Sequence, residues 1–268
     1  MGEKEPIEKG KNMIREEDIN GKVLYQGEDH SFIWLGADPH TQTGVVQTNQ
    51  YLIVDRGKGV LLDPGGIHLF SRVVSVASRY INLDNIETII FSHQDPDVSS
   101  GIALWLGVTS AKVYIPALWI RFLPHFGIID EKRVLGIEKV ENPLTLHSGA
   151  ELVFVPTHFL HSAGHYSVYD AGSKTLFTSD IGAAVFEDEQ YLFVEDFDEH
   201  LELMEPFHKR YMSSNKACKK WVDIVSQLDI EMIAPQHGAI FEEEHVSRFL
   251  TWFSQLRCGL DNIDDIYS

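Results

Sequence analysis

At 268 residues, with 44% hydrophobic and 23% charged side chains, the chain can bury a large core and reads as globular. Its formal net charge of −18 excludes a nucleic-acid binder, which needs basic patches for phosphate, and equally disfavours anionic membranes. No apolar run approaches the roughly eighteen residues of a membrane span, and two isolated cysteines, Cys218 and Cys258, form neither a disulfide framework nor an iron–sulfur motif, which fits a reducing cytoplasm.

Residues 1–20 are polar, lack the apolar core of a signal peptide or anchor, and are expected to fray, leaving 21–268 as a single domain. From Lys22 to Leu62 the pieces KVLYQG, HSFIWLG, NQYLIVDRG and GVLLD are separated by turn residues and predict a meander. HLFSRVVSVASRYI has apolar residues at helical spacing, and TIIFS reads as a buried strand that stops at His93. GIALWLGV then reads as a helix and AKVYIPA as a strand, whereas the stretch around LWIRFLPHFG shows no clear pattern. PLTLHSGAELVFVPTHF and YSVYDAGSKTLFTSD predict two hairpin-like strand pairs. NKACKKWVDIVSQL reads as a helix, IEMIAPQH as a strand and VSRFLTWFSQLRCG as a closing helix. This order fits an α/β protein in which two sheets are sandwiched between helices. No internal repeat or low-complexity linker interrupts it.

Metal-binding side chains sit where these strands stop. His93, Asp95, Asp97, His161, Asp180 and His237 supply three imidazoles and three carboxylates, a full ligand set for two metal ions. Ligands collect at strand ends in layered α/β proteins, so these termini are expected to converge. Each carboxylate also has a plainer reading. Asp97 is a good N-cap for the helix near Ser99, Asp180 suits a turn before Ile181, and Gln94-Asp95-Pro96-Asp97 is ordinary turn material. An oxygen-rich mixed site suits a metal that must hold extra charge after oxidation. Zinc hydrolases prefer more nitrogen or thiolate.

Taken as an ordered set, His93-Gln94-Asp95-Pro96-Asp97-Val98, PTHFLHSAGHYSVYD, FTSD and IAPQHG resemble the metallo-β-lactamase superfamily, and within it the iron-binding flavodiiron branch. The resemblance runs from about Phe32 to about Phe253. It implies a metallo-β-lactamase-type αβ/βα sandwich, two mixed β-sheets flanked by helices, holding two iron ions that cycle between Fe2+ and Fe3+. The superfamily's H-x-H-x-D-H is altered twice: Asp95 replaces the second His, as Glu does in the flavodiiron branch, and Val98 replaces the last. On this resemblance His93, Asp95 and His161 hold the first iron, Asp97 and His237 the second, and Asp180 bridges. The absent His at position 98 leaves the second metal an open position for solvent, O2 or NO. The family's spacing to the bridging carboxylate selects His161 over His158 and His165. Asp63 in VLLDPGG either supports the metal histidines or simply makes the turn. His40, Tyr191 and Phe193 fall where flavodiiron proteins place pocket residues.

Flavodiiron proteins append a flavin-binding domain after the metal domain. Here the sequence reaches Ser268 soon after its last helix, so no flavin is expected in this chain. The expectation is a stand-alone cytoplasmic protein that binds O2, or NO, at a non-haem di-iron centre and forms a peroxo-type adduct. It would act as oxygen sensor or store, or as an O2/NO reductase when an external donor supplies further electrons. A redox or signalling protein partner and a homodimer are implied by the same resemblance. The alternative is a binuclear metal-dependent hydrolase, which would want a His where Val98 stands and basic substrate-binding residues in its loops. Neither is evident.

Overall fold

The computed structural model describes residues 13–14, 16–38, 46–128, 132–186 and 190–268. The meander is formed by β1 (Lys22–Gln26), β2 (His30–Trp34), β3 (Tyr51–Asp55) and β4 (Lys58–Leu62), each antiparallel to the next. β5 (Ile86–Ile90), β6 (Lys112–Ile115) and β7 (Val134–Gly136) then add in parallel and complete a seven-stranded mixed sheet in the order β1 to β7. Parallel neighbours need a crossover. α1 (Phe70–Ala77) supplies the one before β5, α2 (Pro96–Ser99) and α3 (Ile102–Val108) the one before β6, and α4 (Ala117–Ile120) lies in the one before β7.

The second sheet has the order β13-β12-β11-β10-β9-β8. Its strands are β8 (Leu144–Thr145), β9 (Glu151–Pro156), β10 (Tyr166–Asp170), β11 (Thr175–Ser179), β12 (Met232–Pro235) and β13 (Phe241–Glu242). The two hairpin readings correspond to the antiparallel pairs β8–β9 and β10–β11. β12 runs parallel to β11 because α5 (Phe197–Tyr211) and α6 (Asn215–Val225) intervene, and α7 (Glu244–Gln255) and α8 (Ile263–Tyr267) follow β13.

Successive residues of a strand face opposite sides, and here both sides are covered. Leu52, Leu61, Ile89 and Val113 pack against Val73, Val76 and Trp105 of the first helical layer. Ile53, Leu62 and Ile90 point the other way and meet Phe154, Val168 and Phe177 of the second sheet. Leu176 and Ile233 face Trp221, Phe249 and Phe253 of the second helical layer. The result is the αβ/βα sandwich of the metallo-β-lactamase type.

Two features differ from the sequence reading. Residues expected to fray include a 3-10 helix at Glu16–Asn20, and Met13 bridges to Tyr191. The fifteen-residue helix α5 is absent from the sequence reading altogether, although Asp196 caps it by accepting from the amides of Asp198 and Glu199. Its buried face is Phe197, His200, Met204 and His208, so half of the stripe is imidazole. Hydrophobic periodicity cannot show a stripe of that kind. Burial pushes the pKa of His200 down to about 3 and of His208 to about 4, so both pack as neutral rings.

The two sheets are also tied by polar side chains. His30 Nδ1 lies 2.9 Å from Asp55 Oδ2, and its Nε2 lies 2.8 Å from Asp170 Oδ2, with all three residues buried. Asp55 also accepts from Ser148 N at 2.7 Å, and Asp170 from Ser173 Oγ at 2.5 Å. A Cβ at Gly172 would meet the His30 ring at 2.8 Å, so only glycine lets the turn after β10 close over it.

Candidate metal centre

The carboxyl ends of β4, β5, β11 and β12 lie together and deliver side chains to one place. After β4, Asp63 takes a φ of 39° and turns its carboxylate under the end of β5. Oδ1 accepts from Ser92 N at 2.7 Å and Oδ2 from Ser92 Oγ at 2.5 Å. Ser92 Oγ lies 2.9 Å from Nδ1 of the adjacent His93, so Nδ1–H is held by the hydroxyl and Nε2 is left facing the cluster. Asp63 is therefore a support for His93 rather than only a turn. His237 follows β12 and is oriented the same way, its Nδ1 donating to the carbonyl of Gln47 at 2.9 Å. Asp180 follows β11, and its turn is pinned where Gly182 N donates to His208 Nε2 at 2.9 Å.

The six residues fall into two groups around Asp180. On one side Asp180 Oδ2 is 2.7 Å from His161 Nε2 and 3.6 Å from His93 Nε2. Asp95 Oδ2 is 3.4 and 3.7 Å from the same two nitrogens. His93, Asp95, His161 and Asp180 thus place one ligand atom each within 4.8 Å of one another. On the other side Asp180 Oδ1 is 3.5 Å from His237 Nε2, and Asp97 Oδ2 is 3.3 Å from that nitrogen.

These residues fit a pair of metal ions. Asp180 Oδ1 is buried without a hydrogen-bond partner, a cost that a cation beside it would remove. The non-facing nitrogens of His93 and His237 are occupied by hydrogen bonds, which fixes the tautomer a metal needs. Without metal the cluster holds protons. Burial opposes a charge on His93, but Asp180, Asp95 and Asp63 outweigh it and push its pKa up to about 9. Burial likewise opposes a charge on His237, while Asp180 and Asp97 push it to about 10. Burial alone would raise Asp180, yet the surrounding histidines hold it well below the usual carboxylate range. Protons and cations compete for the same atoms.

The neighbouring candidates are engaged elsewhere. His158 sets its ring edge-on against Tyr166 at 5.2 Å. His165 is fully buried with its ring 5.0 Å from His93, its Nδ1 bonded to the carbonyl of Leu160 and its Nε2 unpartnered. Burial pushes its pKa down to about 3. Tyr191 gives its hydroxyl to His200 Nδ1 at 2.8 Å, and Phe193 bridges to Ile240 with Lys22 Nζ 5.0 Å over its ring, which is packing between layers. His40 lies outside the described residues. Beside His237 a cavity of about 140 Å³ is lined instead by Gln47, Asn49, Ala184, Phe186, Gln190 and Gly238 among others.

Two readings at the first motif change. Asp97 is not the helix cap: Pro96 occupies the first position of α2 and Asp95 the N-cap, with no side-chain cap bond. Val98 is fully buried in the apolar cluster shared with Leu69, Val73 and Ile102, so position 98 belongs to the core beneath the helices. Sequence reasoning also passed over Ser92 and Ser179. Each directly precedes a candidate ligand at a strand end, which is the signal that could have found them.

Fold and site together define a metallo-β-lactamase-type protein with a two-sided histidine–carboxylate cluster. The chain belongs to the family described as ODP family beta lactamase, whose pattern matches residues 46–238. A solved structure described as the peroxy diiron species of chemotaxis sensor ODP is 55% identical, covers 92% of this chain and 99% of its own, and superposes with a TM-score of 0.82. The apo state of chemotaxis sensor ODP from T. denticola is also 55% identical, with 92% and 98% covered and a TM-score of 0.81. Anaerobic nitric oxide reductase flavorubredoxin of Klebsiella pneumoniae is 28% identical over 215 residues, which cover 76% of this chain and 44% of that protein. The chain thus spans about half the length of the curated relatives it matches. Among the described residues, no helix is long and apolar enough to cross a membrane.

Proposed function

We propose that the chain binds O2 at a non-haem di-iron centre and serves as an oxygen sensor or store. His93, Asp95 and His161 hold one iron, Asp97 and His237 the other, and Asp180 lies between them. The observation that carries this reading is the divided carboxylate of Asp180, with Oδ2 toward one group and Oδ1 toward the other. Three carboxylates offset much of the charge of two ferric ions, which a nitrogen-rich zinc site would not do. The likeness to a chemotaxis sensor described in a peroxy diiron state supports both the metal and the ligand.

When bound, two ferrous ions supply the two electrons that take O2 to the level of peroxide. The chain's own residues hold the ligand atoms in place. Gln47 O fixes the ring of His237, Ser92 fixes that of His93, and His165 fills the space behind His93 as a neutral ring. Going on to water needs two more electrons, so reductase activity requires an electron donor besides the two ferrous ions. Similarity to nitric oxide reductase flavorubredoxin favours NO as the second diatomic the site accepts.

The test is anaerobic reconstitution with ferrous iron followed by air in a stopped-flow spectrometer. About two irons per chain and a long-lived coloured product without reductant are expected. Uptake of zinc alone, with turnover of thioester or lactam substrates in the typical range of roughly 1–1000 per second, would establish the hydrolase instead.

A further inference from the structure

We infer that Gln94 and Gln236 are paired positioning residues, one for each metal half, each holding a carboxylate ligand with its amide nitrogen and a serine beside another ligand with its amide oxygen. The inference rests on the two-metal reading above.

Gln94 Nε2 donates to Asp95 Oδ1 at 2.8 Å, and its Oε1 accepts from Ser162 Oγ at 2.6 Å. The oxygen of Asp95 that faces His93 and His161 is the other one, Oδ2. With Oδ1 held, Asp95 presents a single oxygen to the first half. Ser162 is buried and directly follows His161, so one amide fixes two ligands that are 66 residues apart in sequence. The amide cannot be turned round without loss, because a carboxylate has no proton to give and needs the NH2 group. The backbone of Gln94 is fixed as well, its carbonyl accepting from Ser99 Oγ at 2.8 Å.

Gln236 makes the same two kinds of bond on the second half and is fully buried, although its amide meets the oxygen of Asp97 that faces His237 and not the other one. Its Nε2 donates to Asp97 Oδ2 at 3.3 Å, and its Oε1 accepts from Ser179 Oγ, the residue before Asp180, at 3.1 Å. Each glutamine adjoins a histidine of its own half, as His93-Gln94 and Gln236-His237. A neutral amide is suited to this task. It orients a carboxylate without cancelling the negative charge that the metals require, as Lys or Arg would, and an apolar side chain would leave the carboxylate to swing. The bonds of Gln94 are the shorter set, so its loss should be felt more.

The test is cadmium NMR of the full chain with isotope-labelled histidine. The first half is recognised by coupling of its metal to two histidines and the second by coupling to one. Methionine replaces glutamine at similar volume without its hydrogen bonds. Gln94→Met should weaken cadmium binding at the two-histidine site about 10–100-fold and leave the other signal in place, and Gln236→Met should do the reverse. Ser162→Ala removes only the carbonyl's partner and should weaken the two-histidine site by less, which carries the test if Gln94→Met does not fold. Equal weakening at both sites, or a lowered melting temperature with both signals intact, would show that the glutamines only hold the fold. A wild-type protein without two cadmium signals would overturn the two-metal reading itself.

Discussion

Asp180 lies 2.7 Å from His161 through Oδ2, while its Oδ1 is turned toward His237 on the far side, so one carboxylate joins candidate ligands from two other loops. Asp180→Asn keeps the size but removes the charge and puts an NH2 group where one half needs an acceptor. Metal content is expected to fall from about two per chain to well below one, measured by elemental analysis after anaerobic reconstitution. Full retention of both ions would remove Asp180 from the bridging role.

His161 and His165 make a second comparison. His161→Ala takes away a nitrogen that faces Asp95 and Asp180 and should lose most of the metal. His165→Ala and His158→Ala should keep it, with affinity reduced by no more than about 10–100-fold, because their rings touch His93 or Tyr166 rather than the carboxylates. Equal losses in the His161 and His165 variants would mean that His165 is a ligand.

The His30 staple sets a pH dependence of stability. Burial opposes the imidazolium, yet Asp170 and Asp55 raise the His30 pKa above its ordinary 6.5, while Ser148 and His30 lower that of Asp55 below 3.8 against the pull of burial. The raised His30 stabilises the fold fully below about pH 6.5 and is lost as pH rises through its folded value. The lowered Asp55 stabilises above about pH 3.8 and is lost as pH falls through its own. His30→Gln leaves two buried carboxylates without their cation and should cost about 3–5 kcal/mol. Melting temperatures from pH 4 to 9 should show the wild type losing stability on the alkaline side and the variant failing to follow it, the gap being widest near pH 5 to 6.

Val98→His places an imidazole in an apolar cluster rather than at the second metal. A loss of about 1–3 kcal/mol in urea unfolding is expected, with metal stoichiometry unchanged. A third histidine coupling in the cadmium spectrum of this variant would show that position 98 reaches the metal after all.

Cys218 and Cys258 are both buried, with their sulfurs 3.6 Å apart. The bond to Cys258 and burial push the thiol of Cys218 up, which suppresses the thiolate that reacts. Alkylation followed by mass spectrometry should leave both cysteines unmodified in the native protein and label both in urea. Rapid native labelling would show that the segment between α7 and α8 opens readily.

What the sequence determined by itself was the part of the fold written in apolar spacing and turn residues. The meander, the strand that stops at His93, the hairpins β8–β9 and β10–β11 and the helices α1, α3, α6 and α7 all follow from apolar spacing and turn residues. The ligand candidates were legible because metal chemistry needs a narrow set of side chains at strand ends. What only the tertiary structure decided depends on residues far apart in the chain. Helix α5 hides its stripe in His200 and His208, which count as apolar only once burial has made them neutral. Val98 looked like a gap in a ligand motif, but helix packing makes it core. The role of Asp63 rests on Ser92 across β4 and β5, and the division of Asp180 rests on the meeting of β11 with β12 and with the loop after β9. Spacing along a chain names the side chains, whereas which oxygen faces which nitrogen is set by the packing of sheets against one another.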